Sequence, residues 1–199
     1  MTKFYRFAMR TMRWIMYFLF WLRVENKEYI PKDRNFIILS NHVSAWDPIT
    51  IAVSGRFNFR PMAKKELYRN RIVAFLLEKL GCIKVDRTDG LHALSLAKKA
   101  LEDKETMLIF PEGTRSKTKV LLPFKGGAFA LSIRTHTPIL PCQVIAPKGM
   151  RLFCGVKIRY GSLIEPEQIY FEDDDKHYSK AMEVITNAFL ELRKDDMPN

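Results

Sequence analysis

Basic and apolar positions recur with helical spacing through the opening of the chain, KFYRFAMRTMRWIMYFLFWLR. Lys3, Arg6, Arg10 and Arg13 fall three or four residues apart and form one stripe on a helix. Phe4, Ala8, Met12, Ile15, Leu19 and Leu22 fall roughly opposite, and Trp14, Tyr17 and Trp21 border the basic stripe. The longest unbroken apolar run, Trp14 to Leu22, is nine residues. A membrane-spanning helix needs about 20. No small-residue cleavage site follows, so a signal peptide fits poorly. The spacing predicts a helix lying in a membrane interface, with apolar side chains dipping in and basic ones meeting anionic lipid. The alternative is an amphipathic helix whose apolar stripe packs on the protein's own core.

After the polar turn at Pro31 to Asn35 the pattern changes to short apolar runs separated by helical segments. Phe36 to Ser40, Cys82 to Val85, Thr106 to Phe110, Ile139 to Ile145 and Val156 to Tyr160 read as strands. Asp47-Pro48 reads as a helix start, with Asp as N-cap and Pro at the first helical position. Arg71 to Lys79 reads as a short helix ending at Gly81. Leu91, Leu94, Ala97 and Leu101 mark one helix face, Gly126 to Thr135 a further helix, and Tyr178 to Lys194 a last one with Met182, Ile185, Phe189 and Leu192 on one side. Alternating strands and helices imply an α/β fold: a single domain with a largely parallel or mixed sheet flanked by helices.

Charge narrows the partners. Thirty-three Lys and Arg against 22 Asp and Glu leave +11 over 199 residues, which favours a polyanionic partner. Nucleic acid would call for a recognisable binding motif with exposed stacking aromatics; none is present, and the aromatics gather in the first helix. Cys82, Cys142 and Cys154 are an odd set without C-x-x-C spacing, so neither a disulfide framework nor a zinc site is expected.

Four short motifs carry candidate chemistry. Asn41-His42-Val43-Ser44-Ala45-Trp46-Asp47 follows the first predicted strand, and a His with an Asp to orient it is the base half of a triad. No serine is well placed as nucleophile, which suits a substrate that brings its own hydroxyl. Phe110-Pro111-Glu112-Gly113-Thr114-Arg115-Ser116 ends a strand and offers backbone N–H groups and a guanidinium fork suited to phosphate. Lys117, Lys119 and Lys125 follow. Ala63-Lys64-Lys65-Glu66-Leu67 and Gly81-Cys82-Ile83-Lys84-Val85-Asp86-Arg87 place further cations at element ends, where open α/β sheets bind ligands.

In order and spacing, these motifs together with Pro138-Ile139-Leu140-Pro141 resemble the glycerophospholipid acyltransferase family, which includes the 1-acylglycerol-3-phosphate acyltransferases. Lys84 departs from the pattern, which usually has an apolar or aromatic residue there. The resemblance implies that His42 is the general base and Asp47 its orienting partner. It also implies that Lys64 or Lys65, Arg87 and Arg115 hold the acceptor phosphate, that Glu112, Gly113 and Thr114 belong to the substrate-binding site, and that backbone donors near His42 or the Glu112-Gly113 turn stabilise the oxyanion. Glu112 either touches the acceptor or braces the loop. The implied reaction moves a fatty acyl group from acyl-CoA or acyl-acyl-carrier protein to the sn-2 hydroxyl of lysophosphatidic acid, with no metal and no cofactor. Glycerol 3-phosphate or a lyso-aminolipid as acceptor, and a non-catalytic lipid-binding protein, are the alternatives. Residues 1–24 would be the membrane-association helix and 25–199 the acyltransferase domain, placing the protein on the cytoplasmic face of the membrane with anionic lipid as partner.

Overall fold

The computed structural model describes residues 3–55, 59, 62–79, 82–86, 89–116, 121–147, 149, 151–171 and 174–193, with side chains of the first and last helices described from Phe7 and Tyr178. Among these residues the main sheet has five strands: β1 (Leu22–Glu25), β2 (Ile37–Ser40), β5 (Met107–Ile109), β6 (Ile139–Ile145) and β7 (Val156–Tyr160), in the order β1-β7-β6-β2-β5. Only β6 and β7 run antiparallel; the remaining neighbours are parallel. A parallel pair, β3 (Met62–Lys64) and β4 (Ile83–Val85), forms a second small sheet. The mixed α/β architecture expected from the strand–helix alternation is the one observed.

Every residue of β2 is buried, because helices cover both faces of the sheet. Strand alternation divides its side chains. Ile38 faces a core built with α1 (Lys3–Leu19) and α2 (Asp47–Gly55), through Met16, Phe20, Ile51 and Val53. Ile37 and Leu39 face the opposite core, built with α4 (Gly90–Glu102), α5 (Gly127–Thr135) and α7 (Asp174–Glu191), through Leu101, Phe129, Ile185 and Phe189. The short helices α3 (Arg71–Lys79) and α6 (Pro166–Ile169) complete the set.

Two expectations about the N-terminus are corrected. The helix ends at Leu19, and Trp21 turns the chain at φ 46° into β1, which pairs with β7. No Gly or Pro marks this turn, so the apolar run conceals it. Long-range contacts hold it: Phe153 N–H donates to Leu19 O at 2.6 Å and Val156 N–H to Phe20 O at 3.1 Å. The second correction concerns orientation. Met12, Ile15 and Leu19, expected to dip into lipid, pack beside buried Met16 and Phe20 on the protein's own core, and Leu22 is buried in β1. Arg13 donates to Val53 O at 3.1 Å instead of facing outward. The solvent-facing stripe is aromatic: Phe7, Trp14, Tyr17, Phe18 and Trp21, with Arg10 among them. No described helix is long and apolar enough to cross a membrane.

This orientation predicts a split between neighbours. Met16→Ala, inside the core, is expected to cost about 2–5 kcal/mol of stability, while Trp14→Ala stays within about 0.5 kcal/mol. Denaturant unfolding of the two variants checks it; equal losses would contradict the docked helix.

Candidate active site

The site forms where parallel strands end. β2 and β5 pair in the register Leu39↔Ile109, so the segments that leave them, Asn41 to Asp47 and Phe110 to Ser116, emerge side by side at the carboxyl edge of the sheet. Open α/β sheets bind ligands at this edge.

Asp47 is fully buried and stands at the first position of α2. Its Oδ2 accepts from His42 Nδ1 at 2.8 Å and from the Val43 and Ser44 N–H groups at 2.7 Å each. The expected N-cap is corrected: Asp47 lies within the helix, and its carboxylate turns back to close the loop around the imidazole and accepts from none of the first N–H groups of α2. Oδ1 has no hydrogen-bond partner among the described residues. With Nδ1 as the donor, Nε2 is left as the basic nitrogen. The His42 ring, 8% exposed, stacks on Phe110 with centroids 4.0 Å apart and planes 17° from parallel.

Glu112 occupies the bracing position. It is 4% exposed, its Oε1 accepts from His42 N–H at 2.9 Å and its Oε2 from Leu122 N–H at 3.2 Å. Burial pushes its carboxyl above the ordinary value, and the two backbone donors oppose that shift in part. Ser116 N–H donates to His42 O at 2.8 Å, a second tie between the two loops. Asn41 anchors the first loop to β6 instead, its side-chain amide exchanging hydrogen bonds of 3.0 and 2.7 Å with the backbone of Val144. Ser40 Oγ donates to Asn41 O, and Ser44 Oγ accepts from Trp46 N–H. Neither hydroxyl is hydrogen-bonded to His42.

The exposed rim carries the cations. Gly113, Thr114 and Arg115 are all solvent-facing. Gly113 has φ +67°, and a methyl group built on it would lie 2.9 Å from Lys125 Nζ. The positive φ is what favours glycine, since the lysine tip can move aside, and the contact identifies Lys125, noted in the sequence only as one of several lysines, as the cation beside the loop. Lys64 ends β3, Lys65 follows it, and both are exposed. Lys65 pairs with Asp86 at the end of β4, joining the third and fourth motifs, and that hydrogen bond raises the ammonium's pKa. Lys84 points outward, 5.2 Å above the Tyr68 ring. Arg87, Gly81, Lys117 and Lys119 lie outside the described residues. Among the described residues no cluster of three or more His, Cys, Asp or Glu could hold a metal.

A buried His–Asp pair at the carboxyl edge of an α/β sheet, with no serine hydroxyl bound to the imidazole among the described residues, has the form of a general-base site. The acyltransferase family profile matches residues 22–145. A 1-acyl-sn-glycerol-3-phosphate acyltransferase of Bacillus subtilis is 32% identical over 158 residues, 78% of each chain. One of Haemophilus influenzae is 34% identical over 139 residues, 65% of this chain and 57% of its own. The crystal structure of the 1-acyl-sn-glycerophosphate (LPA) acyltransferase PlsC of Thermotoga maritima superposes with a TM-score of 0.70 at 28% identity, covering 96% of this chain and 78% of that one. The chain belongs to the acyltransferase family and is an acyl-transferring enzyme.

The brace yields a pH prediction. Because the folded state holds the Glu112 proton more tightly than the unfolded chain does, the stability contributed by protonated Glu112 is present in acid. It is lost as pH rises from the ordinary carboxylate range through the raised value. The stability gap between wild type and Glu112→Gln, from denaturant titrations, should therefore shrink as pH rises from about 4. A gap independent of pH would contradict the shift.

Proposed function

We propose that the protein transfers a fatty acyl group from acyl-CoA or acyl-acyl-carrier protein to the sn-2 hydroxyl of 1-acylglycerol 3-phosphate, giving phosphatidic acid, while lying on the cytoplasmic face of an anionic membrane. The observation that carries this reading is the His42–Asp47 pair, 2.8 Å apart, with no hydroxyl bound to the imidazole among the described residues. The names of the relatives support the acceptor.

In this reading His42 Nε2 takes the proton of the acceptor hydroxyl as its oxygen attacks the thioester carbonyl. Asp47 stabilises the imidazolium that forms. The tetrahedral intermediate then expels the thiolate: the C–S bond breaks, and His42 returns the proton to sulfur. No acyl-enzyme forms. The oxyanion needs N–H donors, and hydrogen-bond accounting narrows them. The His42, Val43 and Ser44 N–H groups serve carboxylates, and Gly113 N–H serves Phe110 O. The N–H groups of Glu112, Thr114 and Arg115 are left as the loop's donors. The acceptor phosphate is assigned to Arg115, Lys64, Lys65 and Arg87, joined by Lys125 beside Gly113. The exposed aromatic stripe of α1, with Trp14 at 72% and Phe18 at 73% exposure, is the surface assigned to lipid, since apolar patches of this kind seek an interface.

The test is acyl transfer by purified protein on vesicles, with lysophosphatidic acid, glycerol 3-phosphate and a lyso-aminolipid as competing acceptors. Phosphatidic acid should form, His42→Ala should abolish it, and Asp47→Asn should lower kcat by about 10³-fold or more. No transfer to any of these acceptors from folded wild-type protein would refute the reading. Arg115→Ala should raise the acceptor KM about tenfold, the loss of one charge-assisted contact. An unchanged KM would remove Arg115 from the phosphate site.

A further inference from the structure

Helix α3 carries an unexpected surface. It is well formed: Asn70 Oδ1 accepts from the Ile72 and Val73 N–H groups at 3.0 and 3.2 Å, and Cys82 N–H closes its end on Leu77 O at 2.9 Å. Yet the helix contains no buried residue. Its stripe Ile72, Phe75 and Leu76 is 75, 56 and 43% exposed, and Leu67 in the preceding 3₁₀ turn is 48% exposed. The positions i, i+3 and i+4 would normally face a core. Here they face outward together, as in helices whose apolar face is completed by an interface.

Charge selects the occupant. Among the described residues between Met62 and Asp86, Lys64, Lys65, Arg69, Arg71, Lys79 and Lys84 stand against Glu66, Glu78 and Asp86. Lys79 lies 5.5 Å from the Phe75 ring centroid, so a cation borders the apolar stripe itself. Apolar side chains rimmed by Lys and Arg match acyl chains beneath anionic headgroups. We infer that α3 and the adjoining turn at Leu67 form a second membrane-contact surface, separate from α1, that seats the Lys64–Lys65 lobe on an anionic bilayer. This rests on the lipid acceptor proposed above and adds to it a route. The acceptor passes from the bilayer at α3 to the lysines assigned to its phosphate, without leaving the interface.

The experiment compares the full chain with an Ile72→Ser/Phe75→Ser variant by flotation on phosphatidylcholine vesicles with and without phosphatidylglycerol. Alongside it, transfer is measured to a vesicle-embedded lysolipid and to a short-chain, monomeric one. Partition onto anionic vesicles should fall about tenfold or more. Transfer to the embedded acceptor should fall in parallel, and transfer to the monomeric acceptor should hold. Phe75→Trp, in a chain whose Trp14, Trp21 and Trp46 are replaced by Phe, keeps the apolar face and should show fluorescence quenched by brominated lipid. Unchanged partition, or no quenching at position 75, overturns the inference. Unchanged partition with slower turnover on acyl-acyl-carrier protein alone overturns it in favour of a protein-docking face. Flotation and quenching need no turnover, so failure of the proposed reaction is read separately, as a wild type that binds vesicles and transfers nothing.

Discussion

The Asp47 carboxylate is the interaction on which the site depends. A fully buried carboxylate is costly unless it is well supplied with donors. Oδ2 receives three, the His42 ring and two successive backbone N–H groups, and these bonds bend the residues after β2 into a loop closed on itself. The same contacts fix which imidazole nitrogen carries the proton. Electrostatics and loop geometry therefore have a single origin here. A change at Asp47 alters both the imidazole's hydrogen bond and the backbone that presents it.

The second loop is fastened to the first instead of merely lying near it. Glu112 reaches across to His42 N–H, Ser116 N–H reaches His42 O, and Phe110 supports the imidazole from below. Parallel pairing of β2 with β5 makes these contacts possible by bringing both strand ends to one edge. The division of labour follows from burial. Asp47 and Glu112 are buried and Phe110 is half-buried, while Gly113, Thr114, Arg115, Lys64 and Lys65 are exposed to solvent.

Much of this was legible in the sequence because the signals are local. The run Phe36 to Ser40, the His42–Asp47 spacing and the complete Phe110 to Ser116 segment lie where their chemistry requires. The period of α7 placed Ile185, Phe189 and Leu192 on the buried side, as observed. What escaped depends on distant partners. β1 exists because β7 pairs with it, and nothing near Trp21 announces a turn. The buried face of α1 was read as the lipid face because amphipathicity gives the angle between two stripes but not which stripe meets the core. Glu112 was ambiguous between brace and ligand until His42 N–H and Leu122 N–H claimed its two oxygens. Lys125 emerged only from its position over Gly113.

The central claim is that His42 activates a hydroxyl belonging to the substrate, so that acyl transfer proceeds in one displacement. Incubating the enzyme with a labelled acyl thioester in the absence of any acceptor, then quenching for intact-protein mass measurement and thiol release, addresses it directly. The account predicts no mass gain and no burst of thiol equal to the enzyme present, with release beginning only when the acceptor is added. An acyl adduct on the protein, accompanied by a stoichiometric burst of thiol, would contradict it.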